Sequence, residues 1–217
     1  MTTPPEVPTH MLQVEARHFG MNMQATTLSF ENVHNHGGLF ASFFRARKQS
    51  FIIQKNWDLP EAMGMEYDQY DTPASRWIVV HEFGEVLGGM RLTPTKARCG
   101  IYSYMIRDAQ RGLIDTIPYN LLYAEAPVSD TIWESTRVFV SHKTPMSIRR
   151  RVHAMMVAAM TTSARELGAT QIVALTAGNW QRWYGRCGLT AQAIGPMLTI
   201  DDGEFQCVAI DLTRKLH

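Results

Sequence analysis

At 217 residues, with 45% apolar and 19% charged side chains and a formal net charge of +1, the chain has the make-up of one ordinary globular domain with a sizeable core. That balance argues against a generally basic nucleic-acid binder or a polybasic membrane-surface protein and leaves only local patches to interpret. Cys99, Cys187 and Cys207 are widely spaced and form no metal-ligand or disulfide pattern. The N-terminus has neither the basic start nor the apolar run of a signal peptide, and no stretch reaches the length of a membrane span. A cytoplasmic protein with reduced thiols, no nucleic-acid partner and no stable membrane association is expected.

Residues 1–25, with Pro4, Pro5 and Pro8 and no sustained period, read as a partly irregular arm ahead of one folded domain over 26–217. A short strand is expected from Thr27 to Val33, then a turn at His34–Gly38. Leu39, Phe40, Phe43, Phe44, Arg47 and Phe51 recur at helical spacing towards Trp57, before Pro60. Residues 58–75 are acidic and turn-rich, too long for a plain connector, and so a candidate working loop. Trp77–His81 and Val86–Leu92 predict a hairpin turning at Glu82–Glu85. After a helical or irregular stretch from Tyr102 to Leu122, a strand is expected over Ile132–Val140. Thr144 and Pro145 predict the cap and first turn of the clearest helix, which Gly168 stops. A strand at Gln171–Thr176 completes a βαβ crossover, followed by a short helix at Trp180–Arg186 and a last strand at Glu204–Leu212. The order of elements is that of a single α/β domain with a mixed sheet.

The charges are the informative part. Glu66 and Asp68 are two apart and share a face in extended chain, and Asp71 lies close enough to join them. Most acidic trios are solvated loops. Here, however, Arg91 sits in an apolar hairpin, Glu134 and Arg137 in an apolar strand, and Arg47 on the apolar face of a helix leading to Phe51 and Trp57. Buried arginines need acids, because an isolated buried charge is costly. Glu134 and Arg137 are three apart and would face opposite ways on a regular strand, so a bulge near Ser135 and Thr136 is predicted. The set points to a small zwitterionic ligand.

Arg47-xxx-Phe51, Trp57, Glu66-x-Asp68-xx-Asp71, Arg91 in RLTPT and Glu134-xx-Arg137 together resemble the ordered signature of the acyl-homoserine-lactone synthases, over roughly ninety residues. Thr136 stands where that family usually has serine, and the N-terminal arm is longer than typical. The resemblance implies a GNAT-like N-acyltransferase fold, with a mixed, twisted and splayed sheet flanked by helices. It also implies acyl transfer from acyl-carrier protein to the amine of S-adenosylmethionine, a substrate rather than a cofactor. Lactone closure then expels methylthioadenosine, and neither step calls for a metal.

On that resemblance Glu134, or after it Glu66, would take the amine proton. Arg91 or Arg137 would hold the substrate carboxylate, with Asp68 and Asp71 pairing to the arginines or the amine. Phe51 and Trp57 would pack near the adenosyl and sulfonium groups, and Arg47 would anchor the acidic loop. Lys143, Arg149, Arg150 and Arg151, gathered where the long helix opens, form the best docking patch for an acidic carrier protein. No glycine-rich pyrophosphate loop precedes that helix, which favours a carrier protein over coenzyme A. Met146, Met155, Met156, Leu175, Thr176 and Trp180 are candidates to line an acyl tunnel. Two other readings stay open: a GNAT-like acyltransferase acting on another amine without lactonising, and a relative that binds without turnover.

Overall fold

The computed structural model describes residues 22–213. In chain order its elements are β1 (Gln24–Leu28), α1 (Val33–Arg47), a π-helical stretch (Lys48–Gln54), β2 (Glu61–Ala62), β3 (Met65–Glu66), β4 (Arg76–Glu82), β5 (Glu85–Pro94), α2 (Met105–Gln110), β6 (Ile132–Val140), α3 (Arg149–Glu166), β7 (Gln171–Ala177), α4 (Trp180–Arg186), β8 (Thr190–Ile200) and β9 (Gly203–Asp211). Seven strands form one mixed sheet in the order β1-β4-β5-β6-β7-β9-β8, and β2 and β3 make a separate small hairpin. Every pairing is antiparallel except β6 with β7, joined through α3 as the βαβ pattern predicts. Their pairing covers only Ile132–Ser135 against Gln171–Ala174. Beyond Ser135 the two strands diverge, which is the splay of the expected fold.

Several local expectations shift. The first strand is β1, earlier than Thr27–Val33, because a side-chain-bonded turn ends it: Ser29 N–H donates to Asn32 Oδ1 at 2.9 Å and Asn32 Nδ2 donates to the Thr27 carbonyl at 2.9 Å. His34–Gly38 is not a turn but the first part of α1, kinked at His36. The helix then widens into the π-helical stretch and stops at Gln54, short of Trp57. Thr144 does not cap α3; its hydroxyl donates to the Leu87 carbonyl at 2.8 Å, and the helix starts at Arg149. At the other end Gly168 stops the helix as expected: with φ of 82° it lets Ala169 N–H reach back to the Ala164 carbonyl at 2.9 Å. β8 has no counterpart in the sequence reading, since Gly195 and Pro196 interrupt its pattern and its register slips between Ala193 and Met197. The Glu82–Glu85 turn is as predicted, with Phe83 and Gly84 both at positive φ.

Two adjacent glycines set the layering. Successive strand residues face opposite ways, and a side chain at Gly88 would meet Val152 of α3, while one at Gly89 would meet Phe43 of α1. Both helices therefore approach the sheet closely at one point from opposite faces. On the α3 side Ile78, Met90, Val152, Met156, Met160, Ile172 and the α4 residues Trp180 and Tyr184 form one core. On the α1 side Leu28, Phe43, Phe44, Phe51, Trp77 and Phe139 form a second, and Tyr104, Ile106 and Val173 continue that face beneath α2.

A Cβ at position 89 would lie 2.6 Å from Phe43 and 2.7 Å from the Ile78 carbonyl. Gly89→Ala should therefore destabilise by about 1–3 kcal/mol in denaturant unfolding. Gly37→Ala in α1, where a Cβ meets nothing within 4 Å, should be neutral or stabilising by up to about 1 kcal/mol.

Candidate active site

On the α1 face one row of side chains runs across three strands. Trp77 pairs with Arg91, and Arg91 with Thr136. Glu134, two residues before Thr136, shares that face. The next paired position towards Val140 is Gly89 with Phe139, so β6 uses three residues where β5 uses two. The extra residue is Arg137, at φ 54°. The predicted bulge is thus present, centred one residue beyond Thr136, and it swings Arg137 onto the side that Arg91 and Glu134 already occupy.

Across from this row the acidic loop folds back on itself. Asp68 N–H donates to Asp71 Oδ2 and Tyr70 N–H to Asp68 Oδ1, each at 2.9 Å, while the β2–β3 hairpin delivers Glu66. The three acids and three arginines then close a ring. Arg47 donates to Glu66 at 2.6 Å and to Asp71 at 2.7 Å. Arg91 pairs with Asp68 and lies 3.1 Å from Asp71. Arg137 reaches Asp68 at 2.8 Å and Glu66 at 3.2 Å. Arg91 Nε also donates to Thr136 Oγ1 at 3.1 Å, and Trp77 Nε1 to Asp71 Oδ1 at 2.8 Å. Arg47, Arg91 and Glu66 are wholly buried. Burial by itself would raise the Asp71 carboxyl, but Arg91, Arg47 and its hydrogen bonds overcome this and hold it well below the ordinary carboxylate range. For Arg91 burial works against the charge, yet Asp68 and Asp71 raise its pKa above the usual value.

Glu134 stands apart from the ring. Its two oxygens accept the Ile106 N–H at 2.7 Å and the Met105 N–H at 3.1 Å, so it satisfies the first turn of α2 from a neighbouring strand. It is fully buried, and desolvation lifts its pKa to about 7, against the pull of those N–H groups and of Arg91.

At the outer rim Trp57 N–H returns to the Phe51 carbonyl at 3.0 Å, and the two rings stack at 5.3 Å and 13°. Arg137 lies 5.6 Å from the Phe51 centroid. Lys55 Nζ lies 4.5 Å from the Trp57 ring and 5.1 Å from that of Phe51. Lys55 did not stand out in the sequence, where one lysine among polar neighbours carries no pattern; only the fold-back of Trp57 brings it over the rings.

Residues 31–215 match the autoinducer synthase family. The chain belongs to that family. It is an enzyme of the acyl-homoserine-lactone synthase class, an acyltransferase. Among its relatives, the acyl-homoserine-lactone synthase of Pseudomonas aeruginosa is 28% identical over 162 residues, covering 73% of this chain and 72% of the relative. The crystal structure of the AHL synthase LasI superposes with a TM-score of 0.73 at 23% identity, covering 91% of this chain and 93% of that one. BjaI, a CoA-dependent acyl-homoserine lactone synthase with SAM and isopentyl-CoA, gives 0.70 at 21% identity over 89% and 85% of the two chains. An acyl-CoA N-acyltransferase from Pseudomonas aeruginosa gives 0.51 at 15% identity over 87% and 98%, in keeping with the GNAT-like fold.

The remaining residues singled out in the synthase fall in different places. Lys143, Arg150 and Arg151 are exposed near the start of α3. Arg149 is turned inward, donating to the carbonyls of Thr144 at 3.1 Å, His142 at 3.2 Å and Ser141 at 3.3 Å, and so braces the turn before the helix. The six acyl-tunnel candidates do not converge. Met155, Met156 and Trp180 pack on the α3 side, with Trp180 Nε1 donating to Gln206 at 2.8 Å, and Thr176 lies across from Gln206 on that side. Leu175 faces the opposite core, as strand alternation requires, and Met146 is 81% exposed on the turn. Among the described residues no group of three His, Cys, Asp or Glu is arranged to hold a metal ion, and no helix is long and apolar enough to cross a membrane.

The Glu134 shift fixes a pH dependence. Its pKa rises from 4.5 in the open chain to about 7 in the fold. The folded state therefore binds the extra proton between those values, and this contribution is full below 4.5 and lost as pH rises through 7. The stability of wild type relative to Glu134→Gln should fall by about 3 kcal/mol across that window in paired denaturant titrations.

Proposed function

We propose that the synthase acylates the α-amine of S-adenosylmethionine from an acyl-carrier-protein thioester and then closes the homoserine lactone, releasing methylthioadenosine. The observation that carries this reading is the charge-balanced ring of Arg47, Arg91, Arg137, Glu66, Asp68 and Asp71 beside the stacked Phe51–Trp57 pair. Such a site offers a rigid polar floor and an aromatic wall, suited to a ligand that is polar at one end and carries a sulfonium and a purine at the other.

The amine must lose a proton before it attacks the thioester carbonyl. A general base works best with a pKa near the working pH, and Glu134, raised to about 7, meets that requirement. Its oxygens already accept two backbone N–H groups, so it acts through an intervening water. Glu66, clamped between Arg47 and Arg137, is the second choice for that role and orients the bulged arginine. Arg47 ties the acidic loop to α1, and Asp68 and Asp71 hold Arg91 and Arg137 in place. In the second step the sulfonium leaves readily, so catalysis rests on holding the carboxylate oxygen behind the γ-carbon.

The opening between β6 and β7 beyond Ser135 exposes strand backbone to the pantetheine arm of the donor. The segment before α3, from Ser141 to Ile148, contains no glycine, while Lys143, Arg150 and Arg151 present positive charge beside it. Both features favour an acidic carrier protein. BjaI, a CoA-dependent relative, makes the donor the point to test.

Purified enzyme supplied with S-adenosylmethionine and a panel of acyl-carrier and coenzyme A thioesters should yield an N-acyl lactone and methylthioadenosine by mass spectrometry. An acyl amide without methylthioadenosine would mean plain N-acylation. Arg137→Met should lower kcat on the order of a hundredfold with an unchanged circular-dichroism spectrum. Arg150→Glu should raise KM for acyl-carrier protein on the order of tenfold and leave KM for S-adenosylmethionine alone. Equal rates with coenzyme A thioesters in both proteins would move the donor assignment to coenzyme A.

A further inference from the structure

A zwitterionic substrate needs a cation for its carboxylate, and the ring described above has little to spare. Arg47, Arg91 and Arg137 are each balanced by two carboxylates. Lys48, nearby on the π-helical stretch, is paired with Glu61 at 2.7 Å. Arg47 and Arg91 each keep one Nη2 without a protein acceptor, but both side chains are wholly buried beneath the loop. Lys55 differs from all of them. No carboxylate pairs with it among the described residues, its side chain is exposed at the rim, and its ammonium rests on the faces of Trp57 and Phe51.

We propose that Lys55 is the receptor for the substrate carboxylate, swinging off the aromatic pair as the sulfonium takes that seat. This assignment rests on the S-adenosylmethionine reading above, and it replaces Arg91 and Arg137 in the role that the family resemblance implied for them. The aromatic faces attract one cation well and two poorly, because two like charges over the same rings repel. An arriving sulfonium therefore displaces the ammonium. The substrate's own carboxylate, a short alkyl chain away, is an anion within the reach of the flexible lysine stem. Partial burial and the neighbouring Arg137 lower the Lys55 pKa, so this charge is held at a cost that a carboxylate partner relieves. The sulfonium thus drives the lysine off the wall and the carboxylate gives it a partner, which ties recognition of the two ends of one ligand to one side chain.

The test compares S-adenosylmethionine with its decarboxylated form by calorimetric titration of wild type, Lys55→Met and Lys55→Arg. We expect Lys55→Met to weaken S-adenosylmethionine binding at least tenfold, to leave the decarboxylated ligand within twofold or bind it more tightly, and to raise KM more than it lowers kcat. Lys55→Arg should recover most of the loss. If wild type binds S-adenosylmethionine and Lys55→Met binds it equally well or better, or loses both ligands alike, the carboxylate role of Lys55 is wrong while the substrate reading stands. If wild type binds neither ligand, the substrate reading itself falls and takes this inference with it.

Discussion

Arg47, Arg91 and Glu66 lie wholly out of water, and no one of them is tolerable there without the others. Each guanidinium needs two carboxylates and each carboxylate two guanidiniums, so the charges close on themselves. That mutual neutralisation is what holds the acidic loop against the sheet. It also tethers α1, β5 and β6 to a single point, since each contributes one arginine. The arrangement is cooperative in the sense that loss of one member leaves an uncompensated buried charge rather than a missing contact.

The bulge at Arg137 is the geometric condition for that closure. On a regular strand Arg137 would point into the α3 side, among the apolar residues of the other core. One extra residue in β6 turns it through the sheet, at the cost of a left-handed backbone conformation in a residue with a side chain. Close to the same place β6 separates from β7, so the distortion that completes the charged ring and the splay of the sheet occupy one stretch of strand. The adjacent glycines of β5 serve the same region by letting α1 and α3 close on the sheet from both sides.

Glu134 shows how a structural role and a raised proton affinity share a side chain. It caps α2 from a neighbouring strand, and the burial that makes it useful as a cap also lifts its proton affinity to the range of a working base. The same economy appears at the rim, where the reversal from Phe51 to Trp57 stacks two rings and carries Lys55 over them. In both places a local backbone requirement sets the electrostatics of the site.

Residue types and spacing by themselves determined the βαβ crossover from β6 through α3 to β7, the hairpin of β4 and β5 and the need for the acids and arginines to pair, because these follow from local periodicity and from the high cost of burying unpaired charge, while the family was legible as a resemblance carried by the ordered series of charged and aromatic residues. The need for a bulge was also legible, from two charges three apart in one strand. Tertiary structure alone decided which acid meets which arginine, the seat of Lys55, the inward turn of Arg149, the opposite facing of Leu175 and Met156, and the existence of β8. Those depend on which faces meet across the sheet and on where a kink, a slipped register or a reversed chain places a side chain, and such long-range contacts leave no periodic trace in the segment that makes them.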